Sequence, residues 1–344
     1  MTPHRAFGLL AASAMLSSLL GLAACGGGGT YGGGGGNMPV TGVGPSKLFG
    51  ADSTDRVIGS LANPNPAAGS LTVDRVIGPT SPYFYNYAGF STNIRSLALD
   101  TTRDYLYVGN GTLIFVFHGA SMANGDLFAD AKFGPIGNTD SMFLDAASDR
   151  LYVGDTNTDL KVFSGASTAS GTPTPRHITG MTTPIHGVAV DTTTKNILYV
   201  SNENSSTHQI SVFDNADAVT SAAPNRTITP TVSAVNQPVG GISLDATHDV
   251  LYVAPGGTGN GIMVFSTAST ADGSIAPAKT LTIPSAPGIL SVLVDPANDR
   301  LYAVGSNGHI YLIEAVSTLS SGTATAKDAS LSNGAMLTAV AVSP

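Results

Sequence analysis

The sequence predicts an all-β fold: a six-bladed β-propeller with four-stranded blades, its ring closed by a blade shared between the N- and C-termini. Three observations predict it. One sentence of residues recurs at intervals of 45 to 54 residues. Each recurrence carries short apolar runs separated by turn formers. The two ends of the repeating region hold complementary parts of one further unit.

The recurring sentence reads "SLALDTTRDYLYVG", "SMFLDAASDRLYVG", "GVAVDTTTKNILYV", "GISLDATHDVLYVA" and "SVLVDPANDRLYAV". Its aligned aspartates are Asp100, Asp145, Asp191, Asp245 and Asp295. Each unit continues with a further apolar run, as in "LIFVFHGAS" or "LKVFSGAST", and most end in a fourth, such as "PRHITG", "NRTITP" or "AKTLTIP". Four short runs in a period of about 40–50 residues is the pattern of a propeller blade. The first run, as in Val188-Ala189-Val190, is small or apolar on both faces, which suits an inner strand packed between neighbouring blades. The "LYV" run follows a tight turn holding Asp and a second Asp or Asn. Five equivalent acids in one turn cannot all be catalytic. An Asp side chain that accepts from backbone N–H groups two residues on explains them, and the repeated tyrosines are packing residues.

The ends complete the ring. The chain closes with "TAVAVSP", the first strand of a further unit, with Ser343 where Asp is expected. The repeating region opens with "KLFGADSTDRVIGSLANPNPAAGSLTVDRVIG", which matches the other three strands of that unit. Five internal units and one shared unit give six blades. The pattern "D…LYV…VF…G…P…I" resembles the bacterial NHL and YVTN-type repeat propellers over nearly all of residues 46–344. That resemblance implies the fold and no particular activity, because such propellers host enzymes and binding proteins alike.

The N-terminal segment is of a different kind. His4 and Arg5 precede an uncharged stretch from Ala6 to Ala24, built of Ala, Leu, Ser, Gly, Met and Phe. A short positive region, an apolar region and small residues before a cleavage point form a secretory signal. The stretch is also long enough to span a bilayer, so an uncleaved anchor is the competing reading. Its small residues and abrupt break into glycine favour the signal. Leu22-Ala23-Ala24-Cys25 resembles the lipobox of bacterial lipoproteins, in which cleavage precedes the Cys and its thiol is acylated. Cys25 is the sole cysteine, so no disulfide within the chain competes for it. Buried acyl chain contributes about 0.8 kcal/mol per methylene, enough for several chains to hold a protein on a membrane.

The segment after it, "GGGGTYGGGGG", cannot bury a core and reads as a flexible tether. Roughly twenty Gly-rich residues span about 25 Å on average. The expected organisation is therefore a signal peptide at 1–24, a lipidated Cys25 with its tether at 25–45, and the propeller at 46–344. Gly26 stands where lipoproteins retained at the inner membrane usually carry Asp. The resemblance thus implies the outer membrane, facing the periplasm or cell surface.

Composition narrows the function. The formal net charge is −8, which argues against nucleic acid and against electrostatic docking on anionic lipid. Signature motifs of zinc proteases, α/β-hydrolases and P-loop proteins do not occur in the sequence, and Gly-Ala-Ser at 119–121 and 165–167 recurs within the repeat as a turn.

Functional residues should break the repeat where loops converge. The residue five before each aligned Asp begins the inner strand at the channel mouth. These positions read Arg95, Asp140, His186, Gly240 and Leu290, with Thr338 in the closing unit. Three successive blades thus offer Arg, Asp and His, whereas the other three are bland. Just after "LYV" on the same face come Asn110, Asp155 and Asn202-Glu203. Asp155-Thr156-Asn157-Thr158-Asp159 has the D-x-N-x-D spacing of calcium loops, without the glycine at position six (Leu160) or the glutamate at position twelve (Ala166). Asp, Asn and Thr are ordinary turn formers in a hairpin and explain it without an ion, with Ca²⁺ at Asp155, Asn157 and Asp159 as the alternative. Tyr83, Phe84, Tyr85, Tyr87 and Phe90 form an aromatic cluster between the first and second blades, either a partner contact or a gap cover.

Two functions follow. The first is a lipid-tethered, monomeric binding or scaffold propeller that holds an envelope protein or polymer. The second is a metal-assisted, lactonase-like hydrolase at the channel mouth, which needs Asn110, Asp140, Asp155, Asn202 and His186 to converge. The absence of catalytic motifs in the sequence favours the binder.

Overall fold

The computed structural model describes residues 47–343, apart from 53–55, 67, 72, 79–93, 157–158, 182–183, 205–206, 221–222, 232–238 and 332–336. The signal segment, Cys25, the tether, the aromatic cluster at 83–90 and Asn157 lie outside the described residues, as does the side chain of Glu203.

Six antiparallel sheets form the ring, each laid out from the centre outward. The first blade joins the two ends of the chain: Leu337–Val342 is innermost, followed by Leu48–Asp52, Val57–Leu61 and Arg75–Ile77. The second runs Ile94–Asp100, Tyr105–Asn110, Leu113–His118 and Ala131–Phe133. The third runs Thr139–Asp145, Arg150–Asp155, Leu160–Ser164 and Arg176–Ile178. The fourth runs Ile185–Asp191, Ile197–Asn204, Thr207–Asp214 and Arg226–Pro230. The fifth runs Ile242–Asp245, Val250–Val253, Gly261–Ser266 and Lys279–Thr282. The sixth runs Ile289–Asp295, Arg300–Gly305, Ile310–Glu314 and Lys327–Leu331. The inner strands adjoin one another all the way round, so the ring is closed. The six-bladed propeller with a shared blade is as the repeat predicts.

The core is divided, with one apolar cluster between each pair of neighbouring blades. Between the second and third, for example, Tyr107, Ile114 and Val116 meet Leu151, Val153 and Phe163. Alternation along the strands sorts side chains between the two faces of a blade. Leu106 and Val108 pack toward the first blade, and Tyr107 between them packs toward the third. Tyr107, Tyr152, Tyr199 and Tyr302 are all fully buried at this position, as packing residues.

Near the axis the blades converge, and space decides residue type. A Cβ on Gly154 would lie 2.4 Å from Ile185 of the next blade, and one on Gly187 would lie 2.7 Å from the backbone of Ile242. Hence the residue four before the turn Asp or its equivalent is Ser96, Ser141, Gly187, Gly241, Ser291 or Ala339.

The turn aspartates do what their repetition implies. Asp191 accepts from the N–H groups of Thr193 (3.1 Å) and Thr194 (2.8 Å), and Asp100 from those of Thr102 and Arg103. The second acid of the turn has a separate task. Asp104, Asp149, Asp249 and Asp299 sit at positive φ (52° to 60°) and accept from both N–H and Oγ of Ser121, Ser167, Ser269 and Ser317. That bond fixes the 3-10 turn after the third strand onto the hairpin between the first two. Gly-Ala-Ser is the start of this turn, with Gly119 and Gly165 left-handed.

The sequence did not reveal how blades are fastened at the rim. In three sheets the outer strand pairs in parallel with a fifth, short strand supplied by the next blade: Gly273–Ile275, Gly322–Thr323 and Gly69–Leu71. Single parallel bridges, Ile77 to Gly125 and Phe133 to Gly171, make the same link at two further interfaces.

Candidate functional site

Every inner strand begins on one face of the disc and ends on the other, at its turn aspartate or, in the first blade, just before Ser343. The first face is the mouth and the second the base. A cavity of about 770 Å³ opens along the axis and is walled by all six inner strands. Arg95, Asp140, His186, Gly240, Leu290 and Thr338 all contribute to its wall.

Three of the six meet. Asp140 lies between its neighbours: Oδ1 accepts from Arg95 Nη1 at 3.0 Å, and Oδ2 lies 2.8 Å from His186 Nδ1. The Asp140 side chain is 17% exposed, Arg95 43% and His186 28%, so the acid is enclosed and the two bases face the opening. Burial pushes the Asp140 carboxyl up. The hydrogen bonds and charges of His186 and Arg95 outweigh it and hold the acid below its ordinary value. Asp140 is thus an anion at neutral pH that orients two basic side chains from adjacent blades.

The other half of the mouth is built differently. Leu290 is 38% exposed and presents an apolar side chain. Gly240 is closed in by the Leu290 carbonyl, 2.5 Å from where a Cβ would stand. Thr338 Oγ1 donates to the carbonyl of Ile94 at 2.7 Å. The mouth is therefore charged over the second to fourth blades and apolar or backbone-lined over the fifth and sixth.

Asn110, Asp155 and Asn202 are not in the cavity wall. They lie in the second strands, Asn110 and Asp155 at the strand ends and Asn202 two residues before its end, opposite Ile94, Thr139 and Ile185, and are buried behind the inner strands. Asn202 Nδ2 donates to Ser211 Oγ (3.2 Å). Glu203 continues that strand, in register with His208. Asp52 is the counterpart in the first blade and is likewise buried. The aligned repeat could not reveal it, because the opening blade lacks the turn motif that sets the register.

The calcium-like loop holds a cation of its own. Lys161 Nζ donates to Asp155 at 2.6 Å and lies 3.2 Å from Asp159, which also lies 2.7 Å from His177 Nδ1. Lys161 was missed by motif reading, although it pairs with Val153, two residues before Asp155, in the same hairpin. Among the described residues, no three His, Cys, Asp or Glu side chains gather into a set able to hold a metal ion.

No protein-family model matches the chain, and no curated protein does either. What the geometry defines is a class: a six-bladed propeller with one polar cluster at the mouth of its axial cavity.

Proposed function

We propose that this chain is a binding module of the cell envelope, tethered through lipid on Cys25, that holds an envelope protein or polymer at the mouth of its propeller. One observation carries the reading. Three consecutive blades carry Arg, Asp and His at one position where the others carry Gly, Leu and Thr, and the three side chains meet through Asp140 at 3.0 and 2.8 Å. A charged cluster assembled from three blades, where the other three carry Gly240, Leu290 and Thr338, is what a binding site needs and what packing alone does not.

Topology supports the tethered arrangement. The described chain begins at Lys47 and ends at Ser343, and both lie on the base, where the Ser343 N–H donates to the Lys47 carbonyl at 2.7 Å. A tether that joins at Lys47 attaches to the face opposite the mouth, which leaves the mouth free for a partner. The likeness of the repeat to NHL and YVTN-type propellers fits such a role, and Gly26, where inner-membrane lipoproteins usually carry Asp, supports outer-membrane placement. Of the five residues that the hydrolase reading needs together, Asp140 and His186 meet in the cavity wall, whereas Asn110, Asp155 and Asn202 are buried behind it. A resident ion would have to displace Arg95 and His186 from Asp140, or Lys161 from Asp155.

The test is photo-crosslinking in the native host. A photoreactive side chain at Leu290, on the mouth, is expected to capture an envelope component, whereas one at Thr102, exposed on the base, is not. Palmitate labelling is expected in the natural chain and lost in Cys25→Ser. Equal capture from both faces, or label retained in Cys25→Ser, would overturn the reading.

A further inference from the structure

Below the rim the cavity wall is more apolar than polar, with Ser96, Ser141, Ser243 and Ser291 set among its apolar residues. Two residues further along each inner strand from the rim position, every blade adds one apolar residue to the wall: Leu97, Met142, Val188, Ile242, Val292 and Val340. Among the described residues of the wall, Arg95, Asp140 and His186 carry all the charge, and all three stand at the rim. A volume of about 770 Å³ falls within the range of sites that enclose drug-sized ligands.

The charge at the rim is asymmetric in what it leaves open. Both oxygens of Asp140 are engaged, one by Arg95 and one by His186. Arg95 donates to Asp140 through Nη1 and remains 43% exposed, so the rest of its guanidinium faces the opening. A guanidinium held at one nitrogen and open along its other edge matches a carboxylate or phosphate in two-point contact. Across the mouth, Leu290 and the backbone around Gly240 offer no charge to compete with an anionic head and continue the apolar surface inward.

We propose that the axial cavity binds an amphiphilic anion, with its carboxylate or phosphate head on Arg95 and its aliphatic chain in the channel between Leu97, Val188 and Val292. This inference rests on the mouth being a binding site, as proposed above, and names the chemistry that the site takes. His186, oriented by the same carboxylate, flanks the head group. Asp140 acts as a positioning residue: it fixes the guanidinium and the imidazole relative to each other and does not itself contact the ligand.

The experiment is calorimetric titration of residues 26–344, which lack the lipidated Cys, with saturated carboxylates from hexanoate to dodecanoate, all below their micelle-forming concentrations. Affinity is expected to rise roughly fourfold per added methylene until the channel is filled, then level off. Arg95→Leu is expected to weaken dodecanoate about tenfold or more while leaving 1-decanol unchanged, and Arg95→Lys to restore part of the loss. Arg95 is exposed at the rim, so neither variant threatens the fold. Dodecyl phosphate in place of dodecanoate distinguishes the two head groups: tighter binding of either one assigns the head, and both support the anion site.

Absence of binding at every chain length would overturn the inference. So would a chain-length dependence without plateau, or one that Arg95→Leu leaves intact, since either means adsorption on apolar surface. In those cases selective crosslinking from Leu290 would still sustain the binding module, with a ligand held at the rim and not in the channel.

Discussion

Asp191 shows how a residue can look catalytic in sequence and prove structural. Burial raises its carboxyl, and the bonds from the Thr194 hydroxyl and the Thr194 and Thr193 N–H groups bring it below its ordinary value. A carboxylate with a lowered native pKa stabilises the fold at pH values above that of the unfolded chain, about 3.9, and loses that contribution as pH falls through the native value. Asp140 and Asp249 act in the same direction. Urea midpoints are therefore expected to hold level above about pH 5 and to fall below about pH 4. Asp191→Asn should be less stable at pH 7, with a shallower acid limb; an acid limb identical to that of the natural chain would refute the assignment. Lys161 makes the second residue-level case. Lys161→Met leaves Asp155 buried without its cation and should cost about 3–5 kcal/mol in urea unfolding, whereas Lys161→Met with Asp155→Asn should recover most of it. Added calcium should leave the melting temperature of the natural chain unchanged, and a rise reversed by chelator would show that an ion displaces the ammonium. At this scale the repeat was an accurate guide wherever a side chain bonds within its own turn. It was silent on Lys161, because the D-x-N-x-D spacing names acids and not the base that lies between them in the folded hairpin.

Between blades, the elements are held by contacts that no local pattern announces. The basic residue opening an outer strand reaches into the next blade: Arg176 Nη2 donates to the Ala216 carbonyl at 3.0 Å and Nη1 to that of Val219. Lys279 does the same with the carbonyls of Ser317 (3.1 Å) and Leu319 (2.8 Å), at the end of a 3-10 turn where carbonyls lack partners. Arg176→Met removes two charge-assisted bonds and should lower stability by about 2–3 kcal/mol, without altering the β signal in circular dichroism. A loss below about 0.5 kcal/mol would mean that water replaces the guanidinium at those carbonyls. The four strands of each blade were legible because each buries a face and so alternates or runs apolar. The fifth, clasping strands were not: two or three residues in parallel pairing leave no periodicity. Their trace in the sequence is a glycine, since Gly69, Gly125, Gly171, Gly273 and Gly322 all take positive φ at the first pairing position, just after the 3-10 turn or its equivalent.

A ring must be closed, and here its closure depends on one six-residue strand, Leu337–Val342. Leu337–Val342 pairs with Leu48–Asp52, and its side chains enter both flanking cores, Ala339 and Ala341 on one side and Leu337 on the other. Without that strand, the second strand of the first blade would face the axis as an open edge, and two of the six apolar clusters would lose a wall. The cavity would lose Thr338, Ala339 and Val340, one sixth of its circumference, so site and stability are tied to the same strand. The sequence revealed this closure because the missing part of one unit is found at the other end. It also located the mouth cluster, since departures from a repeat stand out against five other copies. It misplaced Asn110, Asp155 and Asn202, because polar character after "LYV" does not say whether a side chain faces the axis or the blade behind it. Deleting 337–344 should therefore remove most of the 5–15 kcal/mol typical of a folded domain, broaden the urea transition and expose apolar surface to a hydrophobic dye. A circular permutant gives the converse. With Ser343 joined to Lys47 by a short linker and new ends between Gly137 and Asn138, the first blade becomes continuous in sequence. That chain should unfold cooperatively, at least as stably as the natural one, because the junction already lies within a hydrogen bond of closure (2.7 Å). If the truncated chain matched the natural one in stability, the ring would not depend on its shared blade, and the axial site could not be held in shape by it.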